Sequence, residues 1–500
     1  MTQIERFSAA VIGGGPAGLA AALALARYGI DTALVASPPR EGSLVSASDA
    51  HSLSWPFGCP PATGPAPGAA SPLPLGERPA RPECREPVEF VGSAPGEGEP
   101  HDGDQRQSLS GPFGCPPATG PVSASALAPE RQQSPPDTRT AALFAGSVQF
   151  LVNLGVWAGI APHTAPITAI RIIDDTGGLL RAPETSFTAR DAGRETFGIN
   201  VPNQALTAAL WQAVSAEPRI TLLTGAMLEA LTPGRDDARL RLSDGREFGA
   251  RLVVAADGRN SICRAAAGIE TTAWSYEQSA IACTFAHSRA HHDISTELHR
   301  PAGPLTTVPM PGRRSSLVWV ERPDEAKRLK DLDEPAFRAE LEPRLQGLLG
   351  SIGELGPRTL FPLSGLTAKP FGQSRVALVG EAGHVIPPIG AQGLNLGLRD
   401  AATIADGAAD AIRQGRDPGG DDVLTAYSAA RMADVTSRVW TVDVLNRSLL
   451  SGLVPVQLAR GAGLTALKML GPLRRALVRE GLQPSGGIPR LMRDEVGRGP

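Results

Sequence analysis

Residues 13–18 read Gly-Gly-Gly-Pro-Ala-Gly, three glycines in GxGxxG spacing between an apolar run at 9–12 and an alanine-rich run at 17–28. This motif restricts the fold more than any other feature of the chain. The first glycine must turn tightly, the second must let a ligand approach the backbone, and the third must let a helix lie close against a strand. A second strand at 32–36 completes a βαβ start. The start of the helix presents unpaired N–H groups and the positive end of its dipole, so Gly13, Gly15, Pro16, Ala17 and Gly18 are the expected cradle of a pyrophosphate. A glycine-rich turn without ligand is the plain alternative, and the strand-turn-helix setting speaks against it. The acidic residue that would grip a ribose at the end of the second strand is missing, since Ala36 stands there.

Two further corners have similar construction. Ala256-Asp257-Gly258-Arg259-Asn260-Ser261, with Arg264 beyond, follows a strand at 252–255. Taken alone, an Asp-Gly loop is common in any protein. Gly380-Glu381-Ala382-Gly383-His384 follows a strand at 376–379 and leads through Pro387-Pro388-Ile389-Gly390-Ala391 into Gln392-Gly393-Leu394-Asn395, with Asp400 on the ensuing helix. Such a loop places an anion or carbonyl at a helix N-terminus. Elsewhere strands are expected at 167–174, 220–223, 239–242, 305–310 and 316–320, and helices at 141–154, 204–216, 334–349, 394–414 and 423–450. After 450 short apolar helical pieces at 464–470 and 473–478 alternate with Gly and Pro, in a mildly basic, amphipathic tail.

The alternation is broken between 38 and 136, which hold 21 of the 46 prolines. So many prolines cannot sustain helix or ladder hydrogen bonding, and a large disordered Pro/Gly-rich insertion is expected. Within it SLSWPFGCPPATGP at 52–65 recurs as SLSGPFGCPPATGP at 108–121. One pair is no solenoid, so a duplicated surface insertion is the simpler reading. Cys59 and Cys115 are equivalent by that duplication and need not be a redox pair or metal half-site. With Cys84, Cys263 and Cys283 they make five cysteines without metal-ligand spacing, which suits a reducing, cytoplasmic compartment. No metal site is expected. His291 and His292, neighbours on an expected strand, would face opposite ways on a polar surface.

The three corners, in this order, resemble the flavin-dependent aromatic hydroxylases of the para-hydroxybenzoate hydroxylase type. The match is closest to their ubiquinone-biosynthesis branch, the UbiH/Coq6-type flavoprotein monooxygenases. Asp137-Thr138-Arg139 before Ala141-Ala142-Leu143, the series Trp274, Tyr276 and Gln278, and Gly303-Pro304 before Val308-Pro309 carry that closer likeness. The resemblance implies an α/β fold: a Rossmann-type FAD domain with an inserted mixed β-sheet substrate domain and C-terminal helices. It divides the chain into FAD-domain parts at 1–37, 137–162, 197–270 and 369–414, substrate-domain parts at 163–196 and 271–368, the insertion at 38–136 and a C-terminal helical region at 415–500.

The resemblance also assigns roles. Gly13, Gly15 and Gly18 would hold the FAD pyrophosphate, Arg139 would contact FAD, and Asp257 with Gly258 would lie near the pyrophosphate and the nicotinamide route. Gly380 and Glu381 would approach the ribityl chain, and Pro387 through Asn395, including Pro388, Gly390, Gln392, Gly393 and Leu394, would line the isoalloxazine. Glu381 replaces the commoner Asp, and a longer carboxylate still reaches a hydroxyl. Implied chemistry is ring hydroxylation with NAD(P)H and O₂ through a C4a-hydroperoxyflavin, acting on a prenylated phenol or quinone precursor of ubiquinone. The cofactor performs the hard step, so few acids or bases are needed. His384, Pro387 and Pro388 are the catalytic candidates beside the flavin, with His384 read as a structural residue bonding backbone in a tight turn.

Net charge is −3, with no long basic run, so nucleic acid is not an expected partner. The N-terminus lacks a signal core and no stretch of about 18 apolar residues occurs, which leaves peripheral contact with the inner membrane through the tail. A ubiquinone-biosynthesis complex or a homo-oligomer are the partners such a tail suggests. Two rival functions use the same cofactor: a flavin-dependent reductase or dehydrogenase of a quinone or isoprenoid lipid, and a non-catalytic flavin-binding scaffold with the insertion as docking arm.

Overall fold

The apolar run after residue 4 forms the strand Glu5–Ile12, whose last four residues are all buried, and the glycine turn leads into the helix Pro16–Arg27. A computed structural model describes residues 4–39, 137, 139–177, 184–388, 392–450 and 487–494, without the side chains of 192, 441 and 444–450. In the helix, nine consecutive residues from Gly18 to Ala26 are buried. Such all-round burial of small side chains lets the helix sit close to its sheet.

That sheet has Val376–Leu378, Glu247–Ala255, Glu5–Ile12, Thr32–Val35 and Ile220–Leu223 side by side, all parallel. Gly372–Gln373 closes one edge antiparallel, and the hairpin of Leu228–Pro233 and Ala238–Leu242 pairs onto Glu247–Ala255. Both faces are covered, as parallel sheets require. Helices Pro16–Arg27, Asn203–Ala216 and Gln392–Arg413 share one core with Val11, Leu34 and Val254, while Ala10, Ile12, Val35 and Val253 face a second core with Leu240 and Phe248. The central strand Glu5–Ile12 has a neighbour on each side at its C-terminal end, the place where open α/β sheets take ligands.

A nine-stranded mixed sheet is inserted into this frame. Its order is His384–Val385, Thr359–Lys369, Glu270–His287, Arg314–Glu321, Gly303–Met310, Ile294–Arg300, Ala169–Asp174 and Thr185–Thr188, with Ile352–Leu355 paired onto Glu270–His287. Only Ile294–Arg300 and Ala169–Asp174 are parallel. Alternation separates two faces. Leu298, Leu305, Leu317, Trp319 and Ile281 face the helices Pro323–Asp331 and Glu334–Arg344. Ile170, Ile172, Val308, Val318, Val320 and Ala280 face the other way. Three short antiparallel strands, Thr140–Leu143, Gly198–Pro202 and Ala165–Ile167, lie over that second face: Thr140 Oγ1 donates to Ser316 Oγ at 2.8 Å, and Asn200 Nδ2 to Pro309 O at 2.8 Å.

Several expectations need correction. Residues 141–154 are not one helix: the strand Thr140–Leu143 precedes the helix Ala145–Asn153, because pairing with Gly198–Pro202 outweighs the helical leaning of two alanines. The expected strand at 167–174 breaks at Thr168 and serves two sheets, as Ala165–Ile167 and Ala169–Asp174. The helix expected over 334–349 stops at Arg344, since Gln346 and Gly347 take positive φ of 51° and 71°. His291 and His292 are in a turn rather than a strand, with φ of 52° at His292. Unforeseen elements include the 18-residue strand Glu270–His287, the strand Thr359–Lys369 and the helix Pro323–Asp331.

The expected insertion from residue 40 onward, the apolar pieces at 464–470 and 473–478, Cys59, Cys84, Cys115 and Gly390 lie outside the described residues. Cys263 and Cys283 are buried free thiols. Among the described residues no helix is long and apolar enough to cross a membrane, and no group of three His, Cys, Asp or Glu side chains could hold a metal.

Candidate active site

At the first glycine corner the three glycines differ in what surrounds them. Gly13 has φ +124°, and a Cβ there would lie 2.1 Å from Ala256 O; a Cβ at Gly18 would lie 2.2 Å from Gly13 O. Gly15 has no atom within 4 Å of its notional Cβ. Two glycines thus let strand, turn and helix close up, and the middle one borders open space. Pro16 occupies the first helical turn without a side-chain cap, and the first intrahelical bond runs from Leu19 N–H to Gly15 O at 3.0 Å. The amides of Ala17 and Gly18 therefore precede the helical ladder at the positive end of the dipole. Ala36 is buried at the end of the neighbouring strand, so no carboxylate reaches from there.

The other two corners pack directly on the first. Ala256 is the residue that excludes a Cβ at Gly13, which joins the second corner to the first. The Ala17 methyl meets Gly380 and Gly397, at 3.4 and 3.3 Å from their notional Cβ atoms, which joins the third. Arg264 Nη1 donates to Ala382 O at 2.8 Å and ties the second to the third. Asp257 is mostly committed within its own loop: it accepts from Ser261 Oγ at 2.6 Å and Cys263 N at 3.1 Å. Gly258 follows with φ +83° and open space at its Cβ position.

Glu381 sits exposed in the single turn Gly380–Ala382. Arg139 is held by Asp137 through Nε at 2.7 Å, and its guanidinium lies 5.1 Å above the Phe361 ring. The hydrogen bond that Arg139 donates to Asp137 raises its pKa, burial opposes this, and the charges of Asp137 and Glu381 add to the rise. A permanently cationic arm and an exposed carboxylate thus stand near one another, the carboxylate next in sequence to Gly380, which meets Ala17.

Below the Glu381 turn lies a buried ionic network. Asp400, fully buried, accepts from Gly380 N at 2.9 Å, from His384 Nε2 at 2.7 Å and from Arg431 Nε at 2.6 Å. Burial alone pushes the Asp400 pKa up, but the charges of Arg431 and His384 and the hydrogen bonds outweigh it, and the carboxyl lies below its usual range. An ionised carboxylate only accepts, so His384 Nε2 carries the hydrogen. His384 is therefore tied to a side-chain carboxylate, not to backbone as expected. Arg431 Nη1 continues to Asp434 at 2.9 Å, which also receives Arg399 at 3.1 Å and Arg438 at 2.9 Å. Arg438 also binds Gln392 Oε1 at the start of the helix Gln392–Arg413.

Within the third corner Pro387 is buried and Pro388 exposed, Gly393 borders open space and Leu394 packs on the core. The Asn395 side chain is occupied: Oδ1 accepts from Phe144 N at 2.9 Å and Ser147 Oγ at 2.8 Å, and Nδ2 donates to Ala142 O at 2.8 Å. The backbone amides of Gln392, Gly393 and Leu394 lie in the first turn of the helix Gln392–Arg413. Sequence reasoning passed over Phe361, Arg431 and Asp434, which no local motif marks. It noted Trp274, Tyr276 and Gln278 without a role. Trp274 Nε1 donates to Tyr276 Oη at 2.8 Å, Tyr276 donates to Asp443 Oδ1 at 2.8 Å, and Gln278 Nε2 holds Ala302 O at 2.7 Å beside Gly303.

The sequence model of one family, described as an FAD binding domain, matches residues 6–56 and 128–440 and leaves 57–127 unmatched. The chain is 38% identical over 360 residues to "Ubiquinone hydroxylase UbiL" of Rhodospirillum rubrum, covering 71% of this chain and 83% of that protein. It is 32% identical over 356 residues to the 3-demethoxyubiquinol 3-hydroxylase of Escherichia coli, covering 71% and 90%. Among solved structures, p-nitrophenol 4-monooxygenase PnpA of Pseudomonas putida superimposes with a TM-score of 0.63 at 16% identity, over 96% of this chain and 99% of the other, a likeness of fold.

Proposed function

The chain belongs to the FAD binding domain family, and from that premise we propose that it is a monooxygenase that hydroxylates the aromatic ring of a prenylated phenol on the route to ubiquinone, with NAD(P)H as electron donor. The carrying observation is the junction of three glycine-bearing corners, each with a glycine, Gly15, Gly258 or Gly393, that borders open space, together with Arg139 and Glu381 close to one another. These residues fit FAD. A dinucleotide pyrophosphate needs amide donors without a side chain in the way, and Ala17 and Gly18 supply them behind Gly15.

In this reading the amides at the start of Pro16–Arg27 and the Arg139 guanidinium hold the cofactor's phosphates, and Glu381 accepts hydroxyl hydrogens of its sugar-alcohol chain. Gly258 leaves room beside them, and Pro388, Gln392, Gly393, Leu394 and the Asn395 amide face the flavin ring. Gly390 belongs to the same expected loop. When bound, FAD takes electrons from NAD(P)H and activates O₂ for transfer of one oxygen atom to the ring. The protein's share is to orient the ring and exclude water, for which the apolar face of the nine-stranded sheet is suited. The division into FAD-binding and substrate parts given under Sequence analysis belongs to the proposal. So does a cytoplasmic enzyme touching the inner membrane, where prenylated substrates reside.

NAD(P)H oxidation and O₂ uptake by the purified protein test this, with and without a prenylated phenol. Phenol-dependent turnover giving a product with one added oxygen is expected. Turnover without oxygen in the product would instead make the protein a reductase of quinones, and absence of flavin reduction would leave only a binding role.

A further inference from the structure

On the face of the nine-stranded sheet that meets the FAD-binding frame, two titratable side chains stand outside every motif above. Glu297 and His299 are on Ile294–Arg300, two residues apart, with His299 Nε2 2.8 Å from Glu297 Oε1. Their face follows from alternation: Leu298 between them points into the helical core with Leu305 and Trp319. The cofactor side is fixed by what touches it, since Thr140 reaches Ser316, Arg139 covers Phe361 and Asp443 reaches Tyr276.

On that side Glu297 is in register with Thr306, which is in register with Val318, and His299 is in register with Pro304. An apolar cluster of Ile170, Ile172, Phe187 and Val308 flanks the dyad on one side, and one of Ala280, Val320 and Leu363 on the other. At strand spacings of roughly 4.8 Å, Val318 lies roughly 10 Å from the dyad, about the reach of one aromatic ring with its substituents. The His299 side chain is 3% exposed and that of Glu297 17%. His299 Nδ1 is buried with no hydrogen-bond partner among the described residues. Buried polar atoms are almost always paired, so an unpaired one on this face marks a place for a ligand group.

We infer that Glu297 and His299 form a proton-accepting pair for the phenolic hydroxyl of the substrate, an inference that rests on the proposed function. Glu297 accepts from Nε2–H and so leaves the lone pair on Nδ1. The phenol O–H bond breaks, the proton binds Nδ1, and the electron pair stays on oxygen, enriching the ring that is to be oxygenated. The carboxylate of Glu297 offsets the imidazolium charge, as in other carboxylate-histidine pairs. Other charged groups are placed apart from this exchange. Asp174, in register with His299, is turned onto Thr176; Arg300 lies over Trp319 on the opposite face, where Arg171 also points; and Asp443 is held by Tyr276.

The flavin-loaded protein, titrated with para-nitrophenol and followed by the phenolate band over about pH 5 to 8, tests the pair directly. The bound phenol is expected to ionise at lower pH than the free one. In His299→Gln the phenolate-to-phenol ratio at fixed pH falls tenfold or more, and Glu297→Gln lies between. The methyl ether, para-nitroanisole, has no proton to give and binds all three proteins alike. Equal ionisation in all three would overturn the inference. If the wild type binds neither probe, the proposed function fails instead, and if His299→Gln loses both probes, the spectrum of Glu297→Gln decides.

Discussion

Replacing Gly15 by valine separates the fold from the cofactor site in a way that no other glycine of the first corner permits. Its φ of −75° and ψ of 168° are ordinary extended values that a β-branched residue adopts, and nothing lies within 4 Å of the new Cβ. Without FAD the variant should melt as the wild type does, within about 0.5 kcal/mol. With FAD at about 100 times its dissociation constant the wild type gains about 2.7 kcal/mol, whereas Gly15→Val, its cradle filled by methyl groups, gains none. At roughly 2–4 °C per kcal/mol for a large domain, this separates the two proteins by roughly 5–11 °C in a melt with added FAD. Gly18→Ala is the contrast: its Cβ would be 2.2 Å from Gly13 O, so it loses about 1–3 kcal/mol with or without FAD. Differential scanning fluorimetry and the flavin absorption spectrum read both effects. A Gly15→Val protein that purifies fully yellow would refute the assignment.

Removal of Asp400 as Asp400→Ala leaves Arg431 buried beside only Asp434 and strips Gly380 and His384 of their acceptor, at a cost of about 3–5 kcal/mol in urea unfolding; the double variant with Arg431→Leu should recover part of it, and strict additivity would count against the network. Asp434 is desolvated, but Arg431, Arg399 and Arg438 bring it down to about 2. A folded value below the unfolded one of about 3.9 means stability that is full above pH 4 or so and is lost as pH falls toward 2, so Asp434→Asn should flatten the acid limb of a stability-pH curve. Deleting 57–127, which the family model leaves unmatched, should leave flavin retention intact; a soluble but colourless deletion protein would show that the segment is needed for the cofactor.

The parallel core was legible because each of its strands is a short apolar run and its first helix announces itself by glycine, proline and alanine. The mixed sheet was harder. In Glu270–His287 the first eight residues are polar or partly exposed and the next six are all buried, so neither alternation nor a uniform apolar run marks it. Pro323–Asp331 buries only Ala326 and Leu329 and reads as a charged loop. Of the site, the glycine corners were visible because backbone geometry demands specific residues there. Phe361, Glu297 and His299 were not, because an ordinary residue on a strand becomes a site residue only through what the sheet places beside it.

The same limit explains why His384 was traced to the wrong partner. Its environment is made by Asp400 on the next helix and by Arg431 on the helix Asp421–Leu450, the latter 47 residues beyond it in sequence. Ion pairs so deeply buried are seldom the most stabilising way to join two helices, because desolvation consumes most of the attraction and apolar pairs often do as well. They are directional, however. Asp400 fixes Gly380 N–H and His384 at one end of the loop proposed to face the flavin, while Arg438, itself held by Asp434, holds Gln392 at the other. A slide of the helix Asp421–Leu450 by one turn would unpair Arg431 and Arg438 together, so the pairs admit one register. The helix that carries Asp443 to Tyr276 on the nine-stranded sheet thereby also holds Gly380 and His384, through Asp400, and Gln392, so one element joins the third corner to that sheet.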